Sequence, residues 1–150
     1  MSNPVDSVEV LYNSIISGLV VSGNSNIVVS RSLTSGDAMT SFKLLGAGTS
    51  ELIALRLVRN TTTPQTGGYF NSISDYVQAQ FYGHYTTSGM PSSGAIANLQ
   101  QRMADFKTTV LSGTWSSGCP PIPMLTAEEH PMSNQQVTRG SLTYRFHYLL

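Results

Sequence analysis

Cysteine is nearly absent: Cys119 is the one thiol in 150 residues. A lone thiol excludes an internal disulfide and cannot supply a thiolate zinc cluster. Charge is scarce as well, at 11% of the chain against a usual globular share of roughly 25%. The 8 basic side chains balance 8 acidic ones, so no charged tail points to nucleic acid. No apolar run approaches the roughly 18 residues that span a bilayer, and the N-terminus lacks the basic flank of a signal peptide. The chain therefore reads as soluble, without a membrane partner and not exported by that route. Ser and Thr take up the remainder, together almost a quarter of all positions, which predicts a polar but mostly neutral surface. An apolar content of 40%, including 12 Phe and Tyr, gives enough buried area to offset chain entropy. The length suits one domain over residues 1–150 with one core.

Periodicity divides the chain into elements. Val5, Val8, Leu11 or Tyr12, Ile15 and Leu19 fall at helical spacing behind Asn3-Pro4, a cap followed by a favoured first position, and predict a helix ending near Ser17. Turn signals at residues 23–26 and 35–37 bracket the β-favouring Ile27-Val28-Val29. Glu51 to Arg59 alternates, with Ile53, Leu55 and Leu57 on one side and Ala54, Arg56 and Val58 on the other. The polar stretch 60–74 has no regular pattern and reads as an exposed loop or an extended hairpin arm. Tyr76 to Tyr85 alternates again, with Val77, Ala79 and Phe81 opposite Tyr76, Gln78, Gln80, Tyr82 and His84. Ile96, Leu99, Met103, Phe106 and Val110 then recur at steps of three and four, predicting a helix over 92–111 closed by Gly113. Four of the seven prolines lie between Trp115 and Pro131, so residues 113–140 are expected to form an irregular connector. From Ser141 a terminal strand sets Leu142, Tyr144, Phe146, Tyr148 and Leu150 against Thr143, Arg145, His147 and Leu149. Strands and helices are segregated and no repeat is visible. The expected class is α+β, a mostly antiparallel sheet packed on one side by two helices, with a C-terminal strand.

Side chains capable of chemistry do not converge in the sequence. His84 and His147 lie in outward strand phases and His130 follows two glutamates, so no third ligand completes a metal site. Cys119 has no neighbouring cation to lower its pKa. Gly113-Thr114-Trp115-Ser116-Ser117-Gly118 misplaces its serine for a nucleophile elbow, and Gly46-Ala47-Gly48 is too short for a phosphate loop. No catalytic residue, metal or cofactor is assigned. Arg56, Arg59, Arg139 and Arg145, interleaved with Tyr76, Tyr82 and Tyr144, make a candidate nucleic-acid face, which the balanced charge weakens. Assembly is better supported. The outward phases carry Gln, Thr and Tyr where a monomer places Lys and Glu, and the aromatic final strand is costly to leave unpaired.

The order helix, strands, Tyr76-Val77-Gln78-Ala79-Gln80-Phe81-Tyr82-Gly83, helix 92–111, connector and Leu142-Thr143-Tyr144-Arg145-Phe146-His147-Tyr148 resembles the tail terminator, or tail-completion, proteins of long-tailed bacteriophages. That resemblance implies a non-catalytic virion protein assembled in the host cytoplasm. It would be a homo-oligomeric ring on the tail tube that ends tube growth and joins head to tail, with tail-tube and head-tail connector proteins as partners. Candidate subunit contacts are then Thr63, Gln65, Tyr69 and Phe70 in the loop, Tyr76, Gln78, Gln80 and Tyr82 on the outward strand phase, and Tyr144, Phe146 and Tyr148 in the last strand. A second resemblance rests on Glu51-Leu52-Ile53-Ala54-Leu55-Arg56-Leu57, the Thr-rich loop with Gly67-Gly68, the next strand and a helix. It is to the coat proteins of small RNA phages, and implies a capsid shell around the genome with Arg56, Arg59 and Arg145 as nucleic-acid contacts.

Overall fold

The computed structural model describes residues 7–9, 11–13, 27–30, 51–64, 71–83, 86, 89, 91, 93–113, 115, 121–134 and 136–149. Six strands make one sheet: β1 (Ile27–Ser30), β2 (Glu51–Pro64), β3 (Asn71–Gly83), β4 (Ile122–Pro123), β5 (Glu129–Asn134) and β6 (Val137–Leu149). Their spatial order is β1-β2-β3-β6-β4, and β5 also pairs with β6. β1 runs parallel to β2 and every other pairing is antiparallel. The α+β class and the C-terminal strand are those expected, and β6 lies inside the sheet, flanked by β3 on one side and by β4 and β5 on the other.

Among the described residues, the helix α1 (Ser93–Ser112) and the helical residues 7–9 and 11–13 supply the covering layer. The stripe buried from α1 is Ala95, Leu99, Met103, Phe106 and Val110, with Ile96 half-buried at its margin. Leu11 enters the same core, and Ser7 donates to the buried Asp75 carboxylate at 2.7 Å. The core faces of the strands are Ile53 and Leu55, then Val77, Ala79 and Phe81, then Leu142, Tyr144 and Phe146. Large and small residues alternate across the ladder, because Phe81 pairs with Gly140. A Cβ at Gly140 would lie 2.9 Å from Met103 Sδ and 3.0 Å from the Glu129 carbonyl, so glycine lets helix and β5 pass close to β6 there. Phe106 meets Phe81 edge-on at 5.2 Å and Tyr144 at 5.9 Å. At the end of α1, Trp115 folds back, donating Nε1 to the Val110 carbonyl at 3.1 Å and meeting Phe146 edge-on.

Two stretches are more regular than the sequence suggests. Residues 60–64 and 71–74 are the paired ends of β2 and β3, so the hairpin-arm alternative describes them and the loop reading does not; residues 65–70 lie outside the described residues. Thr61, Thr62 and Thr63 are β-branched and suit a strand without any apolar alternation. The irregular connector 113–140 is corrected too, since it contains β4, a 3-10 turn (Leu125–Ala127), β5 and the start of β6. Pro123 and Pro131 sit where no ladder N–H is needed. Pro123 is in the two-residue outer strand β4, and Pro131 falls in the irregularity of β5 between Glu129 and Met132.

Candidate interaction face of the sheet

Period two sends one phase of β2, β3 and β6 to the core and the other to the opposite face. On that face the register sets Arg56 beside Gln78 and Thr143, Ala54 beside Gln80 and Ser141, and Leu52 beside Tyr82 and Arg139. Position 59 would fall in the wrong phase for this row in a regular strand. The register shift between Leu57 and Arg59 corrects that, placing position 59 opposite Tyr76, which pairs in turn with Arg145. One bulge thus aligns positions 56 and 59 on the same face.

The side chains on this face bond mostly to one another. Arg56 donates Nε and Nη2 to Gln78 Oε1 at 3.1 and 2.9 Å, and Arg145 donates the same two nitrogens to Ser74 Oγ at 3.2 and 3.1 Å. Tyr82 donates to Gln80 at 3.1 Å, and Ser72 Oγ and His147 Nε2 are 2.6 Å apart. Arg139 and His147 are exposed, whereas Arg56, Tyr76, Gln78, Gln80 and Arg145 are half-buried. Burial pushes the Tyr82 hydroxyl above its ordinary pKa, opposed by the charges of Arg139 and Arg56 and aided by Glu129. Ser141 Oγ is buried here without a hydrogen-bond partner among the described residues.

The sequence candidates divide accordingly. Tyr76, Gln78, Gln80 and Tyr82 share the face opposite α1, although Tyr82 is buried there. Arg56, Arg145 and position 59 join them by register. Tyr144 (2% exposed) and Phe146 (5% exposed) are corrected: both lie in the core beneath α1 and Trp115, which leaves them no contact with another subunit. Burial also drives the Tyr144 hydroxyl well above its usual pKa, with Glu128 adding to the shift. Position 63 is in β2 opposite Ser72 and position 148 in β6 opposite Ile73. Gln65, Tyr69, Phe70, His84 and Cys119 lie outside the described residues. Ser74, the acceptor for Arg145, was missed, although Ser72 and Ser74 extend the polar phase of Tyr76, Gln78 and Gln80 toward the N-terminus.

Hydrophobic side chains are exposed at both edges of the sheet. Leu57 and Val58 are exposed on β2 beyond the end of β1, and Ile122, Leu125 and Met132 along the β4–β5 edge. Among the described residues no group of three or more His, Cys, Asp or Glu is placed to hold a metal ion, and no helix is long and apolar enough to cross a membrane. No known protein family matches the chain, and no curated protein matches it.

Proposed function

We propose that the protein is a non-catalytic virion component that assembles with identical copies into a ring at the top of a phage tail, where it ends tube growth and joins head to tail. The observation that carries this reading is the pair of unlike apolar patches on opposite edges of one sheet, Leu57 with Val58 and Ile122 with Leu125 and Met132. A twofold dimer buries the same patch on both subunits. Two different patches suit a head-to-tail contact, and such contacts make a ring where the rotation between neighbours closes. The order of elements, with an inner C-terminal strand, supports the placement at the tail, and the neutral polar surface suits contacts with tail-tube and head-tail connector proteins.

Native mass spectrometry with negative-stain imaging of the purified protein tests it. The expected result is a small closed ring, and a monomer at high concentration overturns the proposal. Closed shells holding nuclease-protected RNA would support a capsid coat protein instead. Edge variants give a sharper readout: Val58→Asp alone and Leu125→Asp alone should each stop assembly, whereas mixing them should give a dimer through the one intact edge of each. Mixtures that stay monomeric would exclude the head-to-tail contact.

A further inference from the structure

Cross-strand registers align the two edges of the sheet. One row runs from Leu57 on β2 through Val77 and Tyr144 to Pro123 on β4, and the next runs from position 59 through Tyr76 and Arg145 to Ile122. The exposed Leu57 and Ile122, from opposite edges, therefore stand in adjacent rows, at nearly the same height along the strands. Height decides what a head-to-tail contact builds. A contact that shifts each copy along the axis climbs into an open helix, whereas one without a shift can close into a ring.

The four rows beyond these are three strands wide, beginning with Asn60 beside Asp75 and Phe146 and then Thr61 beside Ser74 and His147. β1 flanks β2 only from Glu51 to Ala54, and β4 flanks β6 only at Tyr144 and Arg145, so neither end of these rows has a strand beside it among the described residues. An edge of this kind presents a line of amide and carbonyl groups to be paired. It is also unguarded. Residues 57–63 contain no lysine and no proline, whereas the stretch holding β4 and β5 carries Pro123, Glu128, Glu129 and Pro131. Leu57, Val58 and Thr62 are exposed on β2, and His147 is exposed on β6.

Direction completes the match. β2 and β6 both run antiparallel to β3, so they run parallel to one another. A neighbour related by rotation about an axis along the strands presents its β6 to β2 in that same sense, and β1 shows that this edge of β2 accepts a parallel strand.

We propose that neighbouring copies continue the sheet, the outer edge of β2 at residues 60–63 pairing in parallel with the outer edge of β6 at residues 146–149 of the next copy. This rests on the ring reading and adds the backbone contact that joins its subunits.

Disulfide trapping in a Cys119→Ser background tests it. Thr61 and His147 share a row, about 10 Å apart across two strand spacings in one chain, which is too far for an internal bridge, and about 5 Å apart across the proposed contact. Thr61→Cys mixed with His147→Cys should give a covalent dimer under mild oxidation, and neither variant should link to itself. Self-linking of Thr61→Cys would mean a twofold contact between β2 edges and overturn the proposal. Hydrogen exchange on the native chain gives a readout without cysteine: amides within 60–63 should exchange at least ~10-fold more slowly in the ring than in the Val58→Asp monomer. Equal exchange with rings present, or rings that link Val58→Cys to Ile122→Cys but not Thr61→Cys to His147→Cys, would overturn the sheet continuation and leave the ring standing. Absence of rings in native mass spectrometry would instead remove the ring reading, and this proposal with it.

Discussion

The two faces of the sheet are built from alternate residues of the same three strands, yet they are held in different ways. Beneath α1, Phe81, Phe106 and Tyr144 exclude water, Gly140 makes room for Met103, and ion pairs lie at the margins. On the other side the contacts are Arg56 with Gln78, Tyr82 with Gln80, Arg145 with Ser74 and Ser72 with His147. The first face removes apolar area from water, which is the dominant stabilising term. The second also buries Leu52, Ala54 and Tyr82, but around Arg56 and Arg145 it exchanges water for neighbouring side chains, a nearly balanced trade. Apolar packing and polar exchange are thereby weighted differently on the two faces, and substitutions should differ likewise.

Truncation on the packed face gives the largest expected effect. Phe106 is fully buried between Phe81 and Tyr144, so Phe106→Ala should cost about 3–5 kcal/mol in urea unfolding. A loss below about 1 kcal/mol would mean that α1 does not form the core layer, and the contrast between faces would fail. Gly140→Ala probes the same face by adding volume. Its methyl group would crowd Met103 Sδ, which can move, and the Glu129 carbonyl and Pro131 nitrogen, which are backbone. The expected cost is about 1–3 kcal/mol, read as a lower urea midpoint with an unchanged slope.

Much of the packed face was legible in the sequence. The steps of three and four from Leu99 to Val110 and the alternation through Val77, Ala79 and Phe81 survive folding unchanged because each reports one neighbour, the core. Tyr144 and Phe146 were assigned to a subunit contact because period two finds the faces of a strand without saying which one a helix covers. Proline obscured β4 and β5, since Pro123 and Pro131 are compatible with an outer strand and a bulge as well as with a loop. The arginine face was hardest to read. Positions 56 and 59 differ in parity, and only the shift after Leu57 brings them into one phase. A bulge is a product of pairing and leaves no periodic trace in its own strand.

Alkaline pH should act mainly on the packed face. Burial favours the neutral phenol of Tyr144, so its pKa in the folded protein lies above the ordinary value of 10.0. Above that ordinary value the unfolded chain loses a proton that the folded state retains. This contribution is fully present below about pH 10 and falls as pH rises toward the folded-state pKa, by at most about 1.4 kcal/mol per pH unit. Tyr144→Phe should flatten that decline in urea midpoints taken between about pH 9 and 11. Tyr82 contributes in the same direction, and Arg139 and Arg56 reduce its share. An identical pH profile for Tyr144→Phe would remove the buried phenol as the cause.

The smallest effect on stability is expected at Gln78, and it tests whether the polar contacts of the second face add to stability. Gln78→Ala leaves every arginine in place and removes only the acceptor that holds Arg56 Nε and Nη2. The contact is half-buried and water can replace it, so the cost in urea should be about 0.5–1 kcal/mol. A loss above about 2 kcal/mol would mean that water does not reach the guanidinium once its acceptor is gone, because an unpaired buried donor carries its full desolvation cost. No loss at all would mean that water replaces the Gln78 oxygen completely, and the polar contacts of the second face would then add nothing to stability.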